Sequence, residues 1–343
     1  MQYKLLSVNT PADIINIGDY IQALAANQFL PRNDGFVSRE ALNLYNDKEC
    51  LVIMNGWFMH NPKNWPPSNK IKPIFVAFHI NSLTKGEMLT SEGQDYFKKY
   101  EPIGCRDYNT CEQLSHVGIR NYFTGCLTLT LGMKYRCSEK DGKVYFVDPY
   151  FKCRWSKIDL LKNLPFYFVN KNGIDILSTK IHNGQNGLKK KIRLVDFYKE
   201  YSRFFTKETI RDAIFITQMD VRYNKDFHSD EELLREAERL VKLYAHASLV
   251  VTSRIHCALP CLGLETPVIY VENSSQDEIS SCRLKGLREL LNVMEWEEGE
   301  LIPKFKFEGK MSPHNPPTNK TDWKTLAKAM EINLFKIIGN ADV

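Results

Sequence analysis

An arginine and a histidine two residues apart, Arg254 and His256, stand inside the stretch Leu249–Val271, LVVTSRIHCALPCLGLETPVIYV. The β-branched run before them predicts a short strand, and the small-residue run after them predicts a helix. Gly263 and Pro267 then punctuate the chain before a second apolar strand. In a parallel unit of this kind, the loop after the first strand lies at the carboxyl edge of the sheet, where open α/β folds bind ligands. Unpaired N–H groups of the first helical turn attract anions there. A guanidinium fork holds carboxylate or phosphate, and an imidazole moves protons near neutral pH. The competing structural reading is a core helix whose first turn carries two polar residues.

Three other clusters have the same logic. Asn16, Gly18 and Asp19 lie between a first strand and its helix, where Gly18 permits close backbone approach and the helix start can accept an anion. Asp19 also fits a purely structural role as an N-cap. Arg106 and Asp107 follow a strand at 102–105 and precede a helix, so Arg106 can grip a phosphate or carboxylate; a surface ion pair is the alternative. The segment NGWFMHNPKNWPPSN, Asn55–Asn69, gathers Trp57, His60 and Trp65, rings suited to a sugar face or to plain packing. The run Lys189–Lys191 reads as a solvated face, or as a patch for a diphosphate or an anionic lipid surface. Cys257 and Cys261, four apart, read as small core hydrophobes.

The motifs that are missing narrow the field. No Gly-x-Gly-x-x-Gly, Walker loop, His-Glu-x-x-His, Asp-x-Asp or Gly-x-Ser-x-Gly occurs, so the common dinucleotide, nucleoside-triphosphate, zinc-hydrolase and serine-hydrolase readings lose their support. Nine cysteines are scattered with no Cys-x-x-Cys pair, which argues against a zinc site and for reduced thiols in the cytoplasm. The N-terminus lacks the basic and apolar regions of a signal peptide. The uncharged run Asn121–Met133 is too short to span a bilayer. A net charge of +5 could favour anionic ligands but is far below that of a dedicated nucleic-acid binder.

Positioning such residues takes a substantial scaffold. The 343 residues, 43% hydrophobic and 25% charged, suit a globular chain of two domains. Strands are expected at 3–8, 50–55, 74–78 and 102–105, with helices at 19–29, at 92–100 and from Asn109 to about Val117, and a strand or buried loop at 122–131. The turn Lys140-Asp141-Gly142 introduces a second alternating block. Residues 151–210 look less regular, with HNGQNGLKKKIR as an exposed loop. A Ser229–Glu232 capping box opens a helix burying Leu233, Ala237, Leu240, Val241 and Tyr244. A closing helix at 322–338 aligns Leu326, Met330, Leu334 and Ile337. The fold class is therefore α/β, with domains at 1–138 and 139–320 facing each other across a cleft. Residues 321–343 form a closing helix free to pack back across both.

The segment VVTSRIHCALPCLGLETPVIYV resembles the C-terminal signature of the polysaccharide pyruvyl transferase family. NIGDYIQALAANQFL is similar to that family's Asn-x-Gly-Asp opening, IGCRDYNTCEQLSHVGI to its Arg-Asp-x-x-[Thr/Ser] junction, and CRLKGLRELL to its Arg-x-x-Gly-Leu segment. The chain departs from the pattern at Asn55-Gly56, where many members have a Gly-rich turn, and at Thr124-Gly125-Cys126, where many carry an Asp.

The resemblance implies a GT-B-like pair of Rossmann-like domains and transfer of pyruvate from phosphoenolpyruvate onto two sugar hydroxyls, as in bacterial-type surface polysaccharide synthesis. Arg254 and Arg106 would converge on one cleft as donor anchors, with Ser253, Asn16, Gly18 and Asp19 around them. His256 and Arg254 would be catalytic, and Trp57, His60 and Trp65 would meet the acceptor. The partners expected are phosphoenolpyruvate and a glycan whose carrier could be a lipid diphosphate, with peripheral contact at the inner face of the membrane as one option. No metal, no cofactor and no nucleic acid is called for. Two rivals stay open: a GT-B sugar-nucleotide-dependent glycosyltransferase, and a non-catalytic sugar- or anion-binding protein.

Overall fold

A computed structural model describes residues 1–8, 15–151, 157–181, 187–274 and 282–341. Two six-stranded sheets organise the chain. The first contains β1 (Gln2–Ser7), β2 (Phe36–Ser38), β3 (Cys50–Phe58), β4 (Ile71–Ile80), β5 (Ile103–Cys105) and β6 (Asn121–Phe123), in the order β2-β1-β3-β4-β5-β6. The second contains β7 (Val144–Val147), β8 (Ile214–Ile216), β9 (Leu249–Thr252), β10 (Val268–Asn273), β11 (Asn292–Glu297) and β12 (Glu300–Pro303), in the order β12-β11-β10-β9-β7-β8. Every strand pair is parallel except β11 with β12. The molecule is thus an α/β protein with two Rossmann-like sheets flanked by helices, a GT-B-like arrangement.

Parallel strands covered on both faces explain the near-continuous apolar runs of β3, β4 and β9. Helix Ile17–Asn27 follows β1 and buries Ile21, Leu24 and Ala25. It packs against helix Asp230–His246 of the second half, and one apolar cluster runs from Tyr3 and Leu24 through Tyr244 to Val250. The closing helix, Trp323–Ala341, lies on the segment Leu127–Thr130 and on helix Ile255–Gly263, while the Phe335 ring meets Phe29 at 5.2 Å. Among the described residues no helix is long and apolar enough to cross a membrane.

Several local expectations need correction. The described residues of the stretch 151–210 are largely helical, with helices Lys157–Val169, Lys171–Lys180, Gly187–Phe204 and Lys207–Asp212. The lysine run lies on the third of these, whose Leu194, Val195, Phe197 and Tyr201 are buried; its charge hid an amphipathic period. Part of the predicted loop, 182–186, lies outside the described residues. The helix expected from Asn109 begins at Tyr108 and runs to His116, capped by Asp107, whose carboxylate accepts from Thr110 N. Asn16, not Asp19, caps helix Ile17–Asn27, accepting from Gly18 N. In the capping motif at Ser229, the Glu232 carboxylate reaches the His228 N–H instead of that of Ser229. After β6 the chain turns into a 3-10 helix, Leu127–Thr130. On the closing helix Ile338 is buried and Ile337 exposed, which rotates the predicted face by one residue.

Both departures from the family pattern are structural. Gly56 has φ +98°, and a Cβ there would sit 2.7 Å from Gln22 Oε1, while Asn55 Nδ2 donates to Gln22 O at 3.0 Å. This pair seats helix Ile17–Asn27 against β3. Thr124 Oγ1 accepts from the Ala77 N–H at 3.1 Å, satisfying a donor where β4 kinks through a positive φ of 53°.

Candidate active site

Parallel strands send their chain ends to one edge, and the carboxyl edges of the two sheets open toward each other. A cavity of about 340 Å³ between them is lined by Asn16, Asp19, Arg39, Trp57, His60 and Arg106 from the first half and by Met219, Ile255, His256 and Arg283 from the second. Its two sides are stitched together, since Ile17 N donates to Gln218 O at 3.0 Å and Asn16 pairs with Met219. Gly18 is where helix Ile17–Asn27 meets the signature helix: a Cβ there would lie 2.9 Å from His256 Cβ. Only glycine allows that approach without a shift.

Arg106 leaves the end of β5 and is 3% exposed. Its neighbour Asp107 is occupied elsewhere, capping the following helix and holding His79 Nδ1 at 2.6 Å; Arg106 Nε stands 3.7 Å from that carboxylate. Arg106 Nε and Nη1 have no hydrogen-bond partner among the described residues. A buried guanidinium left this way is costly unless an anion completes it. Arg39, also buried, emerges from the end of β2. Glu40 fixes it, accepting from Arg39 Nε at 3.0 Å through one oxygen and from the His60 and Asn61 N–H groups at 2.8 Å through the other. That arrangement sets Arg39 over the Trp57 ring at 5.2 Å and brings Trp57 and His60 to 4.4 Å.

His256 is 9% exposed, in the first turn of helix Ile255–Gly263. Its Nδ1 lies 3.3 Å from Gln22 Nε2, which also donates to Asp19 Oδ1 at 2.9 Å; Asp19 Oδ1 is 3.7 Å from the ring. A donor at Nδ1 places the imidazole proton on Nε2, and Nε2 has no partner among the described residues. Burial first, then the charges of Arg106, Arg283 and Arg39, hold His256 well below the usual histidine range. Burial raises the Asp19 carboxyl, opposed by Arg39 and Arg106. These surroundings favour neutral imidazole, and a polyanion among the arginines would push it back toward imidazolium.

The structure does not bring Arg254 and Ser253 into this cavity. Arg254 is the N-cap of the signature helix, in an extended conformation, and its Nε donates to Asp148 Oδ2 at 2.9 Å. Ser253 Oγ donates to Asp148 O at 2.5 Å. Both line a second cavity of about 580 Å³, with Asp148, Tyr150, Thr217 and Asp220. The expected convergence of Arg254 with Arg106 is thus not met, because the ion pair with Asp148 takes the side chain to the other side of the strand end. Trp65 is not at the cavity either: it is buried among Phe58, Phe75, Phe78 and Phe97. Asn16, Asp19, Trp57, His60, Arg106 and His256 do meet, with Gly18 directly behind His256. Sequence reading missed Arg39, Arg283, Gln22 and Gln218. Arg39 follows a strand end by the same rule that located Arg106, and Arg283 lies in the stretch CRLKGLRELL. Among the described residues no cluster of His, Cys, Asp and Glu is close enough to hold a metal ion.

Two parallel sheets meeting at an arginine-lined cleft with one buried imidazole are the frame of a GT-B-like transferase. The chain belongs to the polysaccharide pyruvyl transferase family, whose profile matches residues 16–275. No curated protein and no solved structure matches it. The match spans β1's following helix through β10, and so contains every cavity residue named above except Arg283.

Proposed function

We propose that the chain transfers pyruvate from phosphoenolpyruvate onto two hydroxyls of a glycan to form a ketal, and that the 340 Å³ cavity is where this happens. One observation carries the reading: the buried guanidinium of Arg106 and the imidazole of His256 share one cavity with Arg39 and Arg283, and among the described residues Arg106 Nε and Nη1 and His256 Nε2 lack hydrogen-bond partners. The donor carries a phosphate and a carboxylate, and three arginines match that charge. In the reaction a proton goes to the methylene carbon, both hydroxyl oxygens bond to C2, and the C2–O bond to phosphate breaks. Of the two hydroxyl protons, one balances the new methyl group and the other leaves with phosphate. His256, which lines the cavity, would make such a transfer through Nε2, and the charge of the bound donor would favour the imidazolium that can deliver it. When the ring is protonated, the Asp19 carboxylate at 3.7 Å faces Nδ1. Trp57 and His60 offer ring faces to the sugar.

The test is phosphate release from phosphoenolpyruvate with a panel of carrier-linked sugars, in the wild type and in Arg106→Ala. Release that needs a sugar and fails in the variant supports the reading; no release with any sugar, and no thermal shift by phosphoenolpyruvate, removes it. A second reading has its own observation. The Arg254–Asp148 cavity runs along β8 and reaches the chain just past the ends of β7 and β9, where the second sheet's strand order reverses, the usual place for a nucleotide in such sheets. A sugar-nucleotide glycosyltransferase would use it, and stabilisation by sugar nucleotides but not by phosphoenolpyruvate would favour that rival.

A further inference from the structure

The helix Lys157–Val169 turns an apolar row outward. Ile158, Leu161, Phe168 and Val169 are 64%, 65%, 65% and 84% exposed, and Pro165 is exposed between them. At 3.6 residues per turn these five positions fall within a sector of about 100°. The opposite face is already satisfied: Tyr167 is buried in the second core, and Asn163 Nδ2 donates to Asp196 Oδ1 of helix Gly187–Phe204 at 3.2 Å. Single exposed apolar side chains are ordinary, but a row along one helix face is not.

Charge identifies what the row meets. From Lys157 to Arg193 the sequence holds eight Lys and Arg against two Asp, a net of +6 where the whole chain carries +5. Lys162 stands beside the apolar row, Lys171 just beyond its end, and Lys189 on the neighbouring helix; all three are exposed and, among the described residues, outside any ion pair. An apolar stripe bordered by long cationic side chains matches the boundary of an anionic bilayer, whose acyl region accepts the stripe to a shallow depth while headgroups take the ammonium groups. A protein partner would need a hydrophobic patch edged by acids; a bilayer supplies both at once. We propose that this helix seats the protein on an anionic lipid surface. The proposal does not depend on the reaction assigned to the cavity, since Leu161 and Phe168 are no part of its lining.

Co-sedimentation of the full chain with vesicles tests it, using phosphatidylcholine alone and an equal mixture of phosphatidylcholine and phosphatidylglycerol. The expected result is binding to the mixed vesicles at low salt, release as salt rises, and little binding to phosphatidylcholine alone. The Leu161→Glu/Phe168→Glu double variant should lower the bound fraction on the order of tenfold while keeping the wild-type melting temperature. If that variant does not fold, Leu161→Ser/Phe168→Ser carries the same test. Wild-type protein left in the supernatant, equal binding to both vesicle types, or undiminished binding by the folded variant would overturn the proposal. So would a dimer seen by light scattering without vesicles that the same substitutions dissociate, which would give the row to a second copy of the chain.

Discussion

The two cavities at the sheet edges treat their arginines in opposite ways. Arg254 is 37% exposed in its side chain and already holds Asp148 at 2.9 Å, so it is a completed ion pair at a cavity wall. Arg106 is buried, its nearest carboxylate is turned to His79 and Thr110, and two of its nitrogens lack partners among the described residues. Burial with incomplete hydrogen bonding is costly for a guanidinium, a cost that an anionic ligand would offset. The difference teaches that a cation at a strand end marks a candidate site, while the incompleteness of its hydrogen bonds says which candidate is waiting for a ligand.

Removing Arg106 should break the comparison most visibly. Arg106→Leu should cost on the order of 10²–10³-fold in kcat/KM for phosphoenolpyruvate, as loss of a desolvated charge partner does. Its melting temperature should hold or rise, because a buried cation whose hydrogen bonds are incomplete has gone, while Asp107 keeps its bonds to His79 and Thr110. The same change removes a charge that depresses His256, so the alkaline limb of the kcat/KM profile, where the imidazolium is lost, should move to higher pH. Full turnover in a folded Arg106→Leu protein would end the donor assignment.

His256 comes next. His256→Asn should lower turnover on the order of 10²-fold with folding nearly intact. The sign of the pH effect follows from its depressed value: the unfolded chain takes up the proton more readily than the folded one, so stability is present above about 6.5 and is lost as pH falls toward the folded value. Melting curves from pH 7 downward should show a loss that the Asn variant lacks, and phosphoenolpyruvate should offset it in the wild type. Identical pH profiles for the two proteins would mean that His256 keeps its ordinary titration.

Gln22 sharpens the same side of the comparison with a smaller effect. Its Nε2 stands 3.3 Å from His256 Nδ1, so as a positioning residue it would set the proton on the ring Nε2 by donating to Nδ1. Gln22→Leu should reduce kcat/KM by roughly tenfold, within the range for an imperfectly placed acid. The distinguishing readout is the ¹⁵N shift pair of the His256 ring, which should show Nε2–H in the wild type and a mixed tautomer in the variant. An unchanged ring spectrum would reduce Gln22 to packing.

Much of this was legible in the sequence, and the gaps have physical causes. The alternation of apolar runs and helical periods revealed both sheets, and the rule that ligands meet parallel strands at their carboxyl ends located Asn16, Asp19, Arg106 and His256. Arg39 escaped because the strand before it, Phe36–Ser38, is three residues long and has no readable pattern. Gln22 escaped because a polar residue in a helix reads as solvent-facing until the partner across the cleft is known. Trp57 and Trp65 show the limit for aromatics: eight residues apart in one segment, one lines the cavity and the other fills the core. Arg254 and His256, two residues apart, part company for a related reason. The spacing placed both at the strand end, but only the tertiary position of Asp148, at the end of β7, decides that the guanidinium turns away.

Arg254 therefore supplies the smallest effect and the most direct contrast. Arg254→Ala removes a half-exposed ion pair, so the stability cost should be near 1 kcal/mol, partly screened by solvent and partly due to Asp148 losing its partner. Gln218 N still donates to Asp148 Oδ2 at 2.9 Å, which keeps that carboxylate from being left bare. Phosphate release from phosphoenolpyruvate should fall only a few-fold, through small shifts of the signature helix that also carries His256. Measured beside Arg106→Leu under the same conditions, the two variants should differ by at least about tenfold. Equal losses would mean that both cavities serve the reaction, with Arg254 exchanging Asp148 for a ligand. A loss confined to sugar-nucleotide binding would instead give the second cavity to the glycosyltransferase reading.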